Sequence, residues 1–344
     1  MSTWPNLLAV HAERMNAWPK KFSDNAFRTS VLGSVQRRNA TLDAVFYDVG
    51  CITEEELPSL AFWLAREGAL LIVPQAGQGQ LKVCLDKEDF LKKGGQKVKA
   101  LAVAGVGSSA LGAAAFARNI ADALEGPVAA IVSGYGLSDA MTEALGGFFW
   151  FGTLNSVRHT FEGFDRITKL FTQSEPSIPE SKRESEWTRL SKDTATLIDL
   201  LSDARFKTPY LVGHSKGNLV ISEALYTLEN RGDLDKLTKN TRIITISAKI
   251  GMPMSFKGRV VDIMGQWDTF GAMNSRSDIP TDLIVTGAWH STNPDFPFGM
   301  GINVPSVLRE ALPLFDQTRI KSSHRPIFNK YKDIPQRAAS FMCR

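Results

Sequence analysis

In Gly213-His214-Ser215-Lys216-Gly217 a serine stands between two glycines, each two residues away. A short apolar segment, Tyr210-Leu211-Val212, leads into it, and an apolar, helix-compatible stretch leaves it from Asn218. A strand that turns so sharply into a helix needs small residues where the two elements approach most closely. The residue at the apex then carries its side chain out over the end of a sheet. A serine hydroxyl displayed there is a weak nucleophile by itself. It attacks a carbonyl only with a base in hydrogen-bond reach and a third group to orient that base.

Candidates for both follow in the chain. Val260-Val261-Asp262-Ile263-Met264 reads as a strand and is followed by Gly265-Gln266-Trp267-Asp268; Leu283-Ile284-Val285-Thr286 reads as the next and is followed by Gly287-Ala288-Trp289-His290. Of the five histidines, only His290 both follows Ser215 and ends a predicted strand. His11 falls on the apolar stripe of an N-terminal packing helix, His159 and His214 precede the serine, and His324 lies in the tail. Asp268 is preferred as the acid because Asp262 lies mid-strand while Asp278 and Asp282 begin the following segment.

A serine, then an acid, then a histidine, each at the end of a successive strand, resembles the α/β-hydrolase superfamily, and within it the lipase- and esterase-like serine hydrolases. The resemblance covers about residues 98–316. It implies Ser215 as nucleophile, His290 as base and Asp268 as its orienting acid, acting on a carboxylic ester without a cofactor. It also implies two backbone donors for the oxyanion: the amide of Lys216, and one from the loop Ala104-Gly105-Val106-Gly107-Ser108, with Val106 chosen and Gly107 or Ser108 as alternatives. Gly107, Ser108 and Trp289 are the residues expected to meet the substrate, a small or lipid-like acyl ester. The loop lacks the family's commoner His-Gly start. An acyltransferase or thioesterase would use the same three side chains, and a non-catalytic member would keep the pocket for a ligand or partner.

The elements that must position these residues alternate. Strands are predicted at 41–48, 69–73, 81–85, 99–105, 128–132, 242–247, 259–265 and 282–286, with helices near 54–67, 110–124, 190–201 and 305–315. That order predicts an α/β fold, a mostly parallel central sheet with helices on both faces, and collects chemistry at the strands' C-terminal ends. Only residues 248–258 separate the sixth strand from the acid-bearing one, so no cap domain fits there. A single domain is expected over 1–320, with 137–205 as a lid or insert and 321–344 as a basic tail. The Phe148-Phe149-Trp150-Phe151 cluster within that insert is read as core, with an acyl pocket or a transient membrane-surface contact as the alternative.

Composition narrows the remaining classes. Net charge is +4, from 40 basic and 36 acidic residues, with no cationic run to bind nucleic acid. The three cysteines, Cys51, Cys84 and Cys343, lack metal-ligand spacing and read as reduced thiols. Met1-Ser2-Thr3-Trp4-Pro5 has no signal-peptide pattern, which points to the cytoplasm. Gly105-x-Gly107-x-x-Ala110 imitates a dinucleotide fingerprint, but the strand at 128–132 ends in Ser133-Gly134 rather than in a ribose-binding acid.

Overall fold

The computed structural model describes residues 43–60, 67–105, 108–133 and 192–317, together with the backbone of Pro326 and Ile327. Among them nine strands form one sheet: β1 Leu70–Val73, β2 Lys82–Cys84, β3 Ala100–Val103, β4 Val128–Ile131, β5 Tyr210–His214, β6 Arg242–Ile246, β7 Val260–Gly265, β8 Leu283–Val285 and β9 Pro326–Ile327. Their spatial order is β2-β1-β4-β3-β5-β6-β7-β8-β9. β1 runs antiparallel to both β2 and β4, and every other neighbouring pair is parallel. The helices are α1 Lys87–Lys92, α2 Ala110–Leu124, α3 Lys192–Ser202, α4 Lys216–Arg231, α5 Asp235–Thr238, α6 Thr269–Met273, α7 Val304–Ala311 and α8 Leu314–Gln317.

β3 and β4 bury every residue, as parallel strands covered on both faces must. Successive side chains divide between two cores. Ala100, Ala102, Val128 and Ala130 pack with α2 and α7; Leu101, Val103, Ala129 and Ile131 pack with α3 and α4. Each fully buried Leu or Ile on these faces contributes about 1.5–3 kcal/mol. Alanines at 113, 114, 117 and 121 let α2 lie close to the sheet. On the same helix Arg118 is buried with its charge matched by Glu56, 2.5 Å away, whose carboxylate also accepts the amides of Thr53 and Leu81.

Three local expectations are corrected. Residues 43–46 form a helical turn instead of a strand, closed by the Tyr47 amide donating to the Asp43 carbonyl at 2.7 Å. The helix expected near 54–67 is a turn followed by the 3-10 helix Leu57–Leu60, with 61–66 outside the described residues. The closing helix is two, α7 and α8, because Pro313 lacks the amide needed to carry one through. Within the expected basic tail, Pro326–Ile327 pairs in parallel with β8.

The segment joining β6 to β7 holds only the 3-10 helix Met254–Phe256, the short crossover expected there. The N-terminal helix around 4–18, the Phe148–Phe151 cluster and most of the 137–205 insert lie outside the described residues. No helix among the described residues is long and apolar enough to cross a membrane. Cys51 and Cys84 are free thiols.

Candidate active site

β5 ends at His214, α4 begins at Lys216, and Ser215 between them has φ 53° and ψ −120°. Side-chain-bearing residues rarely adopt a positive φ, and holding one there costs on the order of 1–3 kcal/mol. The surroundings impose it. The Ser215 amide donates to the Ile246 carbonyl at 2.9 Å, and both flanking glycines are crowded. A Cβ at Gly213 would stand 2.2 Å from Asn218 Oδ1, and one at Gly217 would stand 2.0 Å from the Val103 carbonyl oxygen.

Three side chains meet in front of this turn. Ser215 Oγ lies 3.0 Å from His290 Nε2, and His290 Nδ1 lies 2.9 and 3.1 Å from the two carboxylate oxygens of Asp268. A carboxylate accepts, so Nδ1 carries the hydrogen and Nε2 is left to receive the serine's proton. Ser215 is partly exposed, whereas His290 and Asp268 are each 2% exposed. Asp268 is held from its other side as well: it caps the start of α6, accepting the Gly271 amide at 2.6 Å. Phe270 sets its ring edge-on to the imidazole, with centroids 4.7 Å apart.

The competing acids are engaged elsewhere. Asp262 accepts the Thr245 hydroxyl between β6 and β7, and its amide donates to Asp282; burial pushes its carboxyl up to about 7. Asp278 pairs with Arg276 at 2.6 Å.

Lys216 opens α4, where first-turn amides point out of the helix towards its N-terminal end. Val106 and Gly107 lie outside the described residues. Ser108 is buried, and its hydroxyl donates to the Ser109 carbonyl at 3.2 Å. Trp289 is half-buried between Phe46 and Phe296, with ring centroids 6.1 and 5.0 Å away, and stands beside His290. Among the described residues, no cluster of three or more His, Cys, Asp or Glu side chains is arranged to hold a metal ion.

Sequence reasoning put a strand over 41–48, whereas the turn at 43–47 touches both ends of the loop after β3, His214 and the segment that carries His290. Its carbonyls at Ala44, Val45 and Phe46 are taken by the side chains of Asn293, Ser291 and Thr292, the residues just beyond the histidine. One helical turn apart, Asp43 and Tyr47 reach the two ends of the loop after β3. Asp43 accepts the amide and hydroxyl of Ser109, and Tyr47 Oη accepts the Gly105 amide at 2.6 Å. His214, passed over in the sequence, is buried with both ring nitrogens bonded, Nδ1 to Tyr47 Oη and Nε2 to the His290 carbonyl. Burial first, and the neighbouring His290 second, holds the His214 ring down at about 3, so it is neutral. The available signals were an i, i+4 pair of polar side chains and an unbroken Ser-Thr-Asn run in a buried segment.

Burial raises the Asp43 carboxyl to about 7 against the opposing pull of Ser109. A folded-state value above the unfolded one means the folded protein holds the proton more tightly. The resulting stability is complete below about pH 4 and is lost as pH rises through 7. Between pH 5 and 8, wild type should lose about 2–3 kcal/mol more than Asp43→Asn. Urea denaturation of both proteins at the two pH values checks this, and equal losses would refute it.

No family model matches the chain, and no curated protein matches it. Among solved structures, a hyperthermophilic esterase from the archaeon Pyrobaculum calidifontis is similar over 91% of this chain and 96% of its own, at 8% identity and a TM-score of 0.38.

Proposed function

We propose that this chain is a serine hydrolase of the α/β-hydrolase superfamily that cleaves carboxylic esters through an acyl-enzyme. One observation carries the reading: the continuous row from Ser215 Oγ through the His290 ring to the Asp268 carboxylate, standing at the C-terminal edge of the parallel sheet. A mid-chain serine pinned at positive φ against an imidazole that a carboxylate orients is an arrangement that stability alone does not require.

In the proposed reaction His290 Nε2 takes the proton from Ser215 Oγ as the oxygen attacks the acyl carbonyl. Asp268 holds the ring in the Nδ1–H tautomer and balances the positive charge that forms on it. The imidazolium then gives its proton to the leaving alcohol. Water enters by the same path: His290 takes its proton, hydroxide adds to the acyl carbon, and Ser215 regains its hydrogen as the acid departs. The oxyanion of each tetrahedral stage is met by the amides of Lys216 and Val106, with Gly107, Ser108 and Trp289 flanking the acyl group.

A fluorophosphonate probe should label the protein stoichiometrically, at one serine. A panel of short and long acyl esters, thioesters and amides, each with and without an alcohol acceptor, then assigns the preferred bond and separates hydrolysis from acyl transfer. Absence of labelling, together with absence of turnover on the whole panel, would refute the reading and favour a binding protein.

A further inference from the structure

One hydrogen-bonded path behind the serine has its direction fixed at every step. The Gly105 amide can only donate, so Tyr47 Oη accepts it at 2.6 Å. Burial keeps the phenol protonated, and its hydrogen goes to His214 Nδ1, 3.0 Å away. Nε2 of that ring therefore carries the other hydrogen and donates to the His290 carbonyl at 2.9 Å. Tyr47 and His214 are each 1% exposed, so no water can replace a missing partner without opening the core.

What the path joins matters more than its length. At one end is the amide that opens the loop after β3; in the middle is the residue preceding Ser215; at the other end is the main chain of the residue bearing the base. Gly105 lies directly against the serine, since a Cβ there would stand 3.1 Å from Ser215 Cβ. The rings agree with the bonds: Tyr47 and Phe116 enclose the His214 imidazole at centroid distances of 5.4 and 5.9 Å, and the two imidazoles are 5.1 Å apart.

We propose that Tyr47 and His214 are positioning residues for the ester chemistry, holding the Gly105 amide and the His290 main chain at a fixed distance from Ser215. The inference rests on the serine-hydrolase reading above. Neither side chain meets the substrate. Their effect comes through amides that stabilise an oxyanion only when they are already in place as charge develops.

The test uses the full chain, p-nitrophenyl acetate as substrate, fluorophosphonate titration to count reactive sites, and phenyl trifluoromethyl ketone as a probe that presents an oxyanion once Ser215 adds to it. Per titrated site, Tyr47→Phe should lower kcat about 10- to 100-fold with KM within about twofold, and should raise the ketone's Ki by the same factor as kcat/KM falls. A purely structural role would lower the titrated fraction and Tm while leaving kcat per site alone; that result overturns the inference. If Tyr47→Phe does not fold, His214→Gln is compared with His214→Leu. Glutamine can still accept from Tyr47 and donate to the His290 carbonyl, so it should keep more activity per site, and equal values overturn the inference. Wild type that neither takes the label nor turns over ester removes the serine-hydrolase reading and this inference together, whereas active wild type with an unaltered Tyr47→Phe removes this inference alone.

Discussion

Ser215→Ala is expected to lower ester turnover by about 10⁴- to 10⁶-fold and to abolish fluorophosphonate labelling. The substitution deletes one oxygen from a partly exposed turn, so the fold should survive and the loss should lie wholly in kcat. His290→Ala should cost about as much, because it removes the imidazole that stands 3.0 Å from the Ser215 hydroxyl to receive its proton. Combining the two should add almost nothing, since each alone already removes the shared proton transfer. Turnover of p-nitrophenyl acetate and the intact mass after labelling measure both effects. A Ser215→Ala protein labelled at the wild-type rate would place the nucleophile elsewhere. A double variant far below either single one would mean the two side chains act independently.

Gly217→Ala should be among the most disruptive single-methyl changes within the described residues. In an ordinary helix interior this substitution stabilises by about 1 kcal/mol. Here the new Cβ would stand 2.0 Å from the Val103 carbonyl oxygen, 2.7 Å from the Val103 carbonyl carbon and 2.8 Å from the Ala104 oxygen. All three atoms belong to backbone in or just beyond β3, and β3 is locked between β4 and β5. Nothing there is the free end of a side chain, so α4 itself would have to move away and carry Ser215 off His290. The expected cost is about 3 kcal/mol or more, with activity lost in the molecules that still fold. Thermal melts and titrated site number report the two parts separately. A Gly217→Ala protein with wild-type Tm would contradict the packing described at this turn.

The parallel core was legible because its strands are continuous apolar runs bounded by turn residues, a pattern that depends on the strand alone. β3, β4, β6, β7 and β8 all fall within the predicted apolar runs, and β5 carries the Tyr210-Leu211-Val212 run on by two residues to His214. Ser215, Asp268 and His290 could be singled out because each closes such a run, and their meeting follows from strand order. The 41–48 segment reads otherwise. Its Val-Phe-Tyr content favours a strand, but three side chains from 291–293 seize its carbonyls and Asp43 turns to Ser109. Those partners are distant in sequence, so no local window contains the information that decides the conformation. His214 was hidden for a related reason. Its identity in the elbow is visible, but that both its nitrogens are spoken for depends on Tyr47, 167 residues earlier.

The bonds from Ser291 and Thr292 to the 43–47 turn span 246 residues of chain. During synthesis the turn emerges first and must wait for nearly all the intervening polypeptide before anything can grip its carbonyls. The serine likewise leaves the ribosome 75 residues ahead of the imidazole that would activate it. Under the proposed function, a nascent or truncated chain would carry an inert hydroxyl, and competence would arrive late, with the contacts that complete the fold.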